Sequence, residues 1–386
     1  MDRVKGQKAV SGNGGQLKDS QNSKGSEIFQ NLFVLEAANN HWGDVERGKK
    51  IIQDYASVIR VNSVKAAIKF QFRDVDNFIH EDFKGNDEIR YIKKTEATKM
   101  SVDEYRALGE MVKRAGAIPM ATAFDEKSVD LCVDLDFPIF KVASSDINDW
   151  PLLERIAHYK RPTIISTGGA TEIAVDRAVE FFENRDIPLA INHCVSLYPS
   201  ADSDLELNQI TYLKNRYLGH VIGFSTHERT SWDASMHISY SLGARTWERH
   251  IDIDYDGVPV SSYCSLPEQI DTWFRAFHKA KEMLGGSAND RRVIPQSEIQ
   301  YLDALVRGVY ATRDLPVGYE FSKESFSDGV QLAVPLRKGQ LSTREVVNGL
   351  KTVKPVLAGS PVMIDDVDSP YSQSAKLRAT ILDRGV

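Results

Sequence analysis

The feature that most constrains the fold is an alternation of two kinds of segment. Eight short apolar runs, LFVLEA (32–37), AAIKFQF (66–72), AIPMATAF (117–124), FPIFKVAS (137–144), PTIISTG (162–168), LAINHCVS (189–196), HVIGFSTH (220–227) and ARTWERHI (244–251), alternate with amphipathic stretches such as SVDEYRALGEMVKRAG and TEIAVDRAVEFFEN. In those stretches apolar residues recur at three- and four-residue spacing behind a Ser or Thr able to cap the first turn. An apolar run followed by such a helix is one strand–helix unit. Eight units over about 255 residues match a (β/α)8 TIM barrel, while a doubly wound sheet has the same alternation and stays open.

In a barrel of this kind, ligands sit at the C-terminal ends of the strands. Those ends are polar throughout. In chain order they offer Glu36 with Asn40 and His41, Lys69 and Gln71, Thr122, then Lys141, Ser144 and Asp146. Ser166 and Thr167, Asn192 and His193, Ser225 and His227, and Glu248 and His250 follow. Strand-to-helix turns need Ser, Thr, Asn and Asp as caps whatever the function, which accounts for several of these. It does not account for Lys69 and Lys141, each set inside an apolar run where a lone charge is costly to bury. With the neighbouring hydroxyls and the Gly168–Gly169 turn ahead of a helix, the two lysines suit a phosphate or carboxylate dianion. His227 and His250 close neighbouring runs at matching positions, so one divalent metal could be shared between them.

Composition removes several partners. The formal charge is −6, with no basic cluster, which argues against nucleic acid or an anionic membrane. No apolar run approaches the roughly 18 residues of a membrane span, and the N-terminus lacks a signal-like apolar core, so a cytoplasmic protein is expected. Cys132, Cys194 and Cys264 are too few and too scattered for a disulfide framework and are expected to be reduced and buried. Residues 1–27, rich in Gly, Ser, Lys, Gln and Asn, are expected to form a disordered tail. The barrel is expected over 28–285, a Gly/Pro/charge-rich linker over 286–302 and a small β-rich domain over 303–386.

Seven blocks at these strand ends resemble, in order, those of the sialic acid synthases and their legionaminate and pseudaminate relatives: EAANNHWGD, IKFQ, FKVASSDINDWPLL, STGGATEI, HCVSLYPSADSDLELNQI, GFSTHE and ERHIDID. The resemblance covers about residues 31 to 360. It implies a phosphoenolpyruvate-dependent transferase that joins phosphoenolpyruvate to the open-chain aldehyde of an N-acyl hexosamine, releasing phosphate and forming a 2-keto-3-deoxy acid. By position, His227 and His250 would hold the metal, manganese first, with magnesium or cobalt as alternatives. Lys69, Thr122, Lys141, Ser144, Ser166 and Ser225 would bind phosphoenolpyruvate. Glu36, Gln71, Asp146 and Tyr198 would handle the sugar and the attacking water, with Asn192 also on the substrate.

The segment RGVYATRDLPVGYEFSKESF (307–326) is similar to the antifreeze-like (SAF) module of these synthases, which implies a domain-swapped homodimer whose module covers the partner's sugar. Departures from the pattern fall on the acceptor side. Val334 stands where the module's sugar-binding arginine would be, leaving Arg337 as a substitute; Asp254 or Asp256 would replace a missing aspartate, and residue 146 is Asp rather than Glu. Two other classes stay open: a Schiff-base pyruvate aldolase with Lys141 or Lys69 as nucleophile, and a non-catalytic sugar-acid-binding protein.

Overall fold

The computed structural model describes residues 26–286 and 289–384, so most of the stretch expected as a tail lies outside the described residues. The chain divides into two compact units at Gly285/Gly286. In the first, β1 (Leu32–Ala38), β2 (Lys65–Phe72), β3 (Ile118–Ala123), β4 (Ile139–Val142), β5 (Thr163–Ser166), β6 (Leu189–Cys194), β7 (Val221–Thr226) and β8 (Thr246–His250) pair in parallel into a closed barrel in sequence order. The doubly wound alternative is thereby excluded. Each strand leads to a helix: α1 (Val45–Asn62), α2 (Val102–Arg114), α3 (Glu126–Asp134), α4 (Trp150–His158), α5 (Glu172–Glu183), α6 (Asn208–Arg216), α7 (Ala234–Leu242) and α8 (Pro267–Leu284).

The start of α2 illustrates how sequence sets a boundary. Ser101 accepts from the Glu104 amide while the Glu104 carboxylate returns to the Ser101 amide, a reciprocal cap that satisfies two otherwise orphaned donors.

Strand periodicity divides the core in two. Outward residues such as Phe33, Leu35, Ile68, Phe70, Phe140, Ile165 and Trp247 pack under the helices. Phe33 closes the seam of the barrel, its ring 5.2 Å from Trp247, 5.0 Å from Trp273 and 4.8 Å from Phe274. Inward residues near the strand starts, Leu32, Val34, Ala67, Met120, Ile139, Ile164, Ala190 and Val221, fill the lower barrel with Phe29 beneath them. Two residues further along β1 to β6 the same inward face carries Glu36, Lys69, Thr122, Lys141, Ser166 and Asn192. An apolar plug below a polar layer is therefore built into the period of two.

The second unit pairs β9 (Gly308–Ala311) antiparallel to β10 (Val330–Ala333) around a small core of Val309, Leu315, Phe321, Val330, Leu341, Val356 and Val362. Within the stretch expected as linker, Gln296–Asp303 forms a helix with no buried residue; its sequence can turn, but offers no face large enough to pack. No helix among the described residues is long and apolar enough to cross a membrane.

Gly223 marks how tightly the barrel closes. A Cβ there would stand 2.1 Å from Asn192 Oδ1 and 2.7 Å from the Thr246 carbonyl oxygen. Gly223→Ala is expected to lower stability by about 1–3 kcal/mol through overpacking, read as a fall in denaturation midpoint; wild-type stability would contradict so close an approach of β6 and β8 to β7.

Candidate active site

Strand register assembles the charged layer. Glu36 pairs in register with Lys69 on one side and with His250 on the other, Thr122 with Gln71 and Lys141, Ser166 with Asn192, and Ser225 with Cys194 and Glu248. A cavity of about 890 Å³ opens above it. Of the residues singled out in the sequence, Glu36, Lys69, Gln71, Thr122, Lys141, Ser144, Asp146, Ser166, Tyr198, Ser225 and His250 line this one cavity. Asn192 is fully buried beneath it, with neither side-chain amide atom partnered. Arg337 belongs to the second unit, where it is exposed and its amide donates to Gln340 Oε1.

Lys69 is the centre of the layer. Its ammonium group donates to Glu36 and to Thr122 Oγ1 (2.8 Å) and lies 3.4 Å from Glu248 Oε1. Burial pushes it down to about 8, against the opposing pull of Glu248 and with the help of Lys141. Lys141 donates to Ser166 Oγ (2.7 Å) and to the Val142 carbonyl (2.9 Å) and has no carboxylate within 4 Å among the described residues. Burial alone would raise Glu248; Lys141 and Lys69 outweigh it and hold the carboxyl below its ordinary range. Glu248 Oε2 has no partner. Asp146 goes the other way, raised by burial, and its Oδ2 is unpartnered.

The Gly168 amide donates to Ser144 Oγ (3.0 Å), and a Cβ on Gly168 would meet Ser196 Oγ at 2.2 Å and Ser144 Oγ at 2.9 Å. Only glycine lets this backbone come so near the hydroxyls that line the cavity.

The two histidines face each other, with ring centroids 5.4 Å apart and the Tyr198 ring 4.0 Å from His227. Burial pushes His227 down to about 4 and, with the adjacent His227 and Lys69, holds His250 well below its ordinary value. Both imidazoles are thus neutral near pH 7, as metal ligation requires. His227 Nδ1 donates to the Val195 carbonyl (2.8 Å), leaving Nε2 with its lone pair, while His250 Nδ1 is buried without a partner. No cluster of three or more His, Cys, Asp or Glu suited to a metal occurs among the described residues. The two neutral imidazoles could supply two protein ligands to a divalent ion.

Sequence reasoning named Glu248 at its strand end but gave it no role, although its place between Thr246 and His250 on an inward-facing alternation signals one. It also missed Arg73, Tyr91 and Lys94, which reach the cavity from the long β2–α2 connection; an irregular connection has no periodicity that could have located them. The three cysteines are free and buried, as expected.

A closed parallel barrel with a charged cavity at its C-terminal mouth is the arrangement in which barrel enzymes carry their sites. The chain belongs to the NeuB family, whose model matches residues 60–289. It is 31% identical to the N-acetylneuraminate-9-phosphate synthase of Drosophila melanogaster over 63% of this chain and 66% of that protein. It is 27% identical to the N,N'-diacetyllegionaminic acid synthase of Legionella pneumophila over 76% and 83% of the two chains. Its fold superposes, with a TM-score of 0.81 and 35% identity over 88% of this chain and all of the other, on a putative spore coat polysaccharide biosynthesis protein E from Chromobacterium violaceum.

An anion held by Lys69 should depend on that group's protonation. Sulfate, dianionic throughout, is the suitable probe: its affinity is expected to fall as pH rises through about 8, by up to roughly tenfold per pH unit, measured by calorimetry. A flat profile from about pH 7 to about pH 10 would mean that Lys69 does not carry the anion.

Proposed function

We propose that this chain condenses phosphoenolpyruvate with the open-chain aldehyde of an N-acyl hexosamine, giving a 2-keto-3-deoxy acid and phosphate. The observation that carries this reading is the meeting, at one barrel mouth, of two buried lysines flanked by hydroxyls and two neutral, facing histidines. The first pair suits a phosphate and carboxylate; the second suits a Lewis acid.

In the proposed reaction C3 of phosphoenolpyruvate adds to the aldehyde carbon, the aldehyde oxygen takes up a proton, and water adds at C2. Phosphate then leaves C2, and the 2-keto group remains. Lys69 and Lys141, with Thr122, Ser144, Ser166 and Ser225, would neutralise the phosphoenolpyruvate and hold its C3 towards the acceptor. Asp146, raised by burial and with Oδ2 unpartnered, is suited to pass a proton to the aldehyde oxygen. Glu36, already hydrogen-bonded to Lys69, is suited to orient the attacking water, with Gln71 and Tyr198 placing the sugar. A divalent ion on His227 and His250, manganese first and magnesium or cobalt as alternatives, would supply Lewis-acid polarisation of the aldehyde.

The Schiff-base alternative draws on the depressed Lys69, which a nucleophilic lysine also needs. Its carboxylate partner Glu36 favours the charged form, and an aldolase leaves the histidine pair without a task. We further propose a cytoplasmic homodimer in which the 303–386 domain, acting as an SAF module, covers the partner's barrel, with Arg337 reaching the sugar in place of the arginine absent at Val334.

Two outcomes are expected. Phosphate release should require a divalent ion, and His227→Ala or His250→Ala should lower it by about a hundredfold or more with the fold retained by circular dichroism; full turnover in excess chelator would contradict this. Mixing a His250→Ala subunit with an Arg337→Ala subunit should restore activity, because a swapped heterodimer has one site with neither defect. No recovery in demonstrated heterodimers would mean that the module does not serve the partner.

A further inference from the structure

Lys69 and Lys141 do not exhaust the positive charge in the cavity. The connection between β2 and α2, residues 73–101, is the longest of the strand-to-helix connections and carries two extra helices, Val75–Phe78 and Arg90–Ala97. It brings Arg73 and Lys94 to the cavity wall together with Phe78 and Tyr91. The Arg73 guanidinium lies 3.6 Å from the centroid of the Phe124 ring and 5.4 Å from that of Tyr91. Both of its terminal nitrogens donate to the neutral Gln71 Oε1 at 3.2 Å, and its Nε is buried with no partner. Lys94 lies 5.3 Å from the Trp42 ring centroid.

Neither cation has a carboxylate within 4 Å among the described residues. The acids that follow Arg73 are already taken, Asp74 by Lys127 and Asp76 by Lys99, at 2.6 Å each. Burial holds both Arg73 and Lys94 below their ordinary values. Aromatic faces fix the orientation of such groups but do not neutralise them. Lys69, by contrast, is compensated by Glu36 and Glu248. The cavity therefore holds two cationic regions, one on the strands and one on the connection.

We propose that Arg73 and Lys94 bind a second anionic group, carried by the acceptor sugar, so that the acceptor is an N-acyl hexosamine bearing a terminal phosphate ester or carboxylate. This rests on the condensation proposed above for the same cavity, and on the strand lysines being occupied by phosphoenolpyruvate. A planar guanidinium beside a flexible ammonium suits an anionic group with several acceptor oxygens.

The test separates binding from turnover. The 6-phosphate, the neutral form and the 6-carboxylate of an N-acetylhexosaminitol, which lack the reacting aldehyde, are titrated calorimetrically into the manganese-loaded protein with and without phosphoenolpyruvate. At least one anionic alditol is expected to bind about a hundredfold tighter than the neutral one, the size of two charge-assisted contacts; which of the two does so identifies the source of the charge. Arg73→Met and Lys94→Met should each cut that preference by about tenfold or more. Lys94→Met keeps the test open if loss of the Arg73 ring contacts impairs folding. Equal affinity for neutral and anionic alditols would overturn the proposal, as would variants that weaken phosphoenolpyruvate instead. The matching aldehydes are then assayed for phosphate release. Selective anion binding with no release from any aldehyde would overturn the condensation while leaving the anion site standing.

Discussion

Everything at the mouth of this barrel follows from one electrostatic constraint: Glu36, Lys69, Lys141 and Glu248 are almost wholly removed from water inside a closed sheet. Isolated charges in such a place would cost several kcal/mol each after relaxation. Lys69 is tolerable because Glu36 and Glu248 flank it, and Glu248 because Lys141 and Lys69 hold it ionised. The compensation is incomplete. Lys141 meets only a hydroxyl and a carbonyl, and Glu248 Oε2, His250 Nδ1 and both amide atoms of Asn192 have no partner.

A second set of buried ion pairs lies on the outer side of the same strand ends and fixes the loops that carry the site. Arg47 on α1 donates to Asp252 (2.7 Å), to the Asn40 carbonyl (2.7 Å) and to the Ile253 carbonyl (3.0 Å), tying the loop after β1 to the loop after β8. Arg249 donates to Glu228 Oε1 (2.9 Å) and to Ser265 Oγ (2.8 Å), joining the ends of β7 and β8. The inward neighbours of these residues are His227 and His250. The Arg249–Glu228 pair, next in sequence to both imidazoles, thus braces the strand ends that carry them.

Much of this was legible in the sequence, for a physical reason. A barrel strand alternates inward and outward residues, so once eight strands were placed, the inward side chains at their ends were placed too. Lys69 and Lys141 stood out because nothing structural explains a lysine in an apolar run, and they do face one cavity. Glu248 was noted at its strand end but given no role, because the run TWERHI holds several polar residues and periodicity alone does not say which of them meets Lys69. Arg73 and Lys94 could not be found this way. Their position depends on how an irregular connection folds back over the barrel, and on ring contacts with Phe124 and Trp42 far away in sequence. The helix at Gln296–Asp303 was missed because Gly, Pro and charge near its start read as a linker, and its own face buries nothing.

The most direct measurement is the stoichiometry and mass of the products formed from phosphoenolpyruvate, manganese and a panel of N-acyl hexosamines. One phosphate released for each 2-keto-3-deoxy acid of acceptor-plus-pyruvyl mass is the expected result, with no product when pyruvate replaces phosphoenolpyruvate. Condensation of pyruvate without phosphate release would contradict the assignment of the two lysines to an anionic phosphoenolpyruvate, and would make one of them a nucleophile instead.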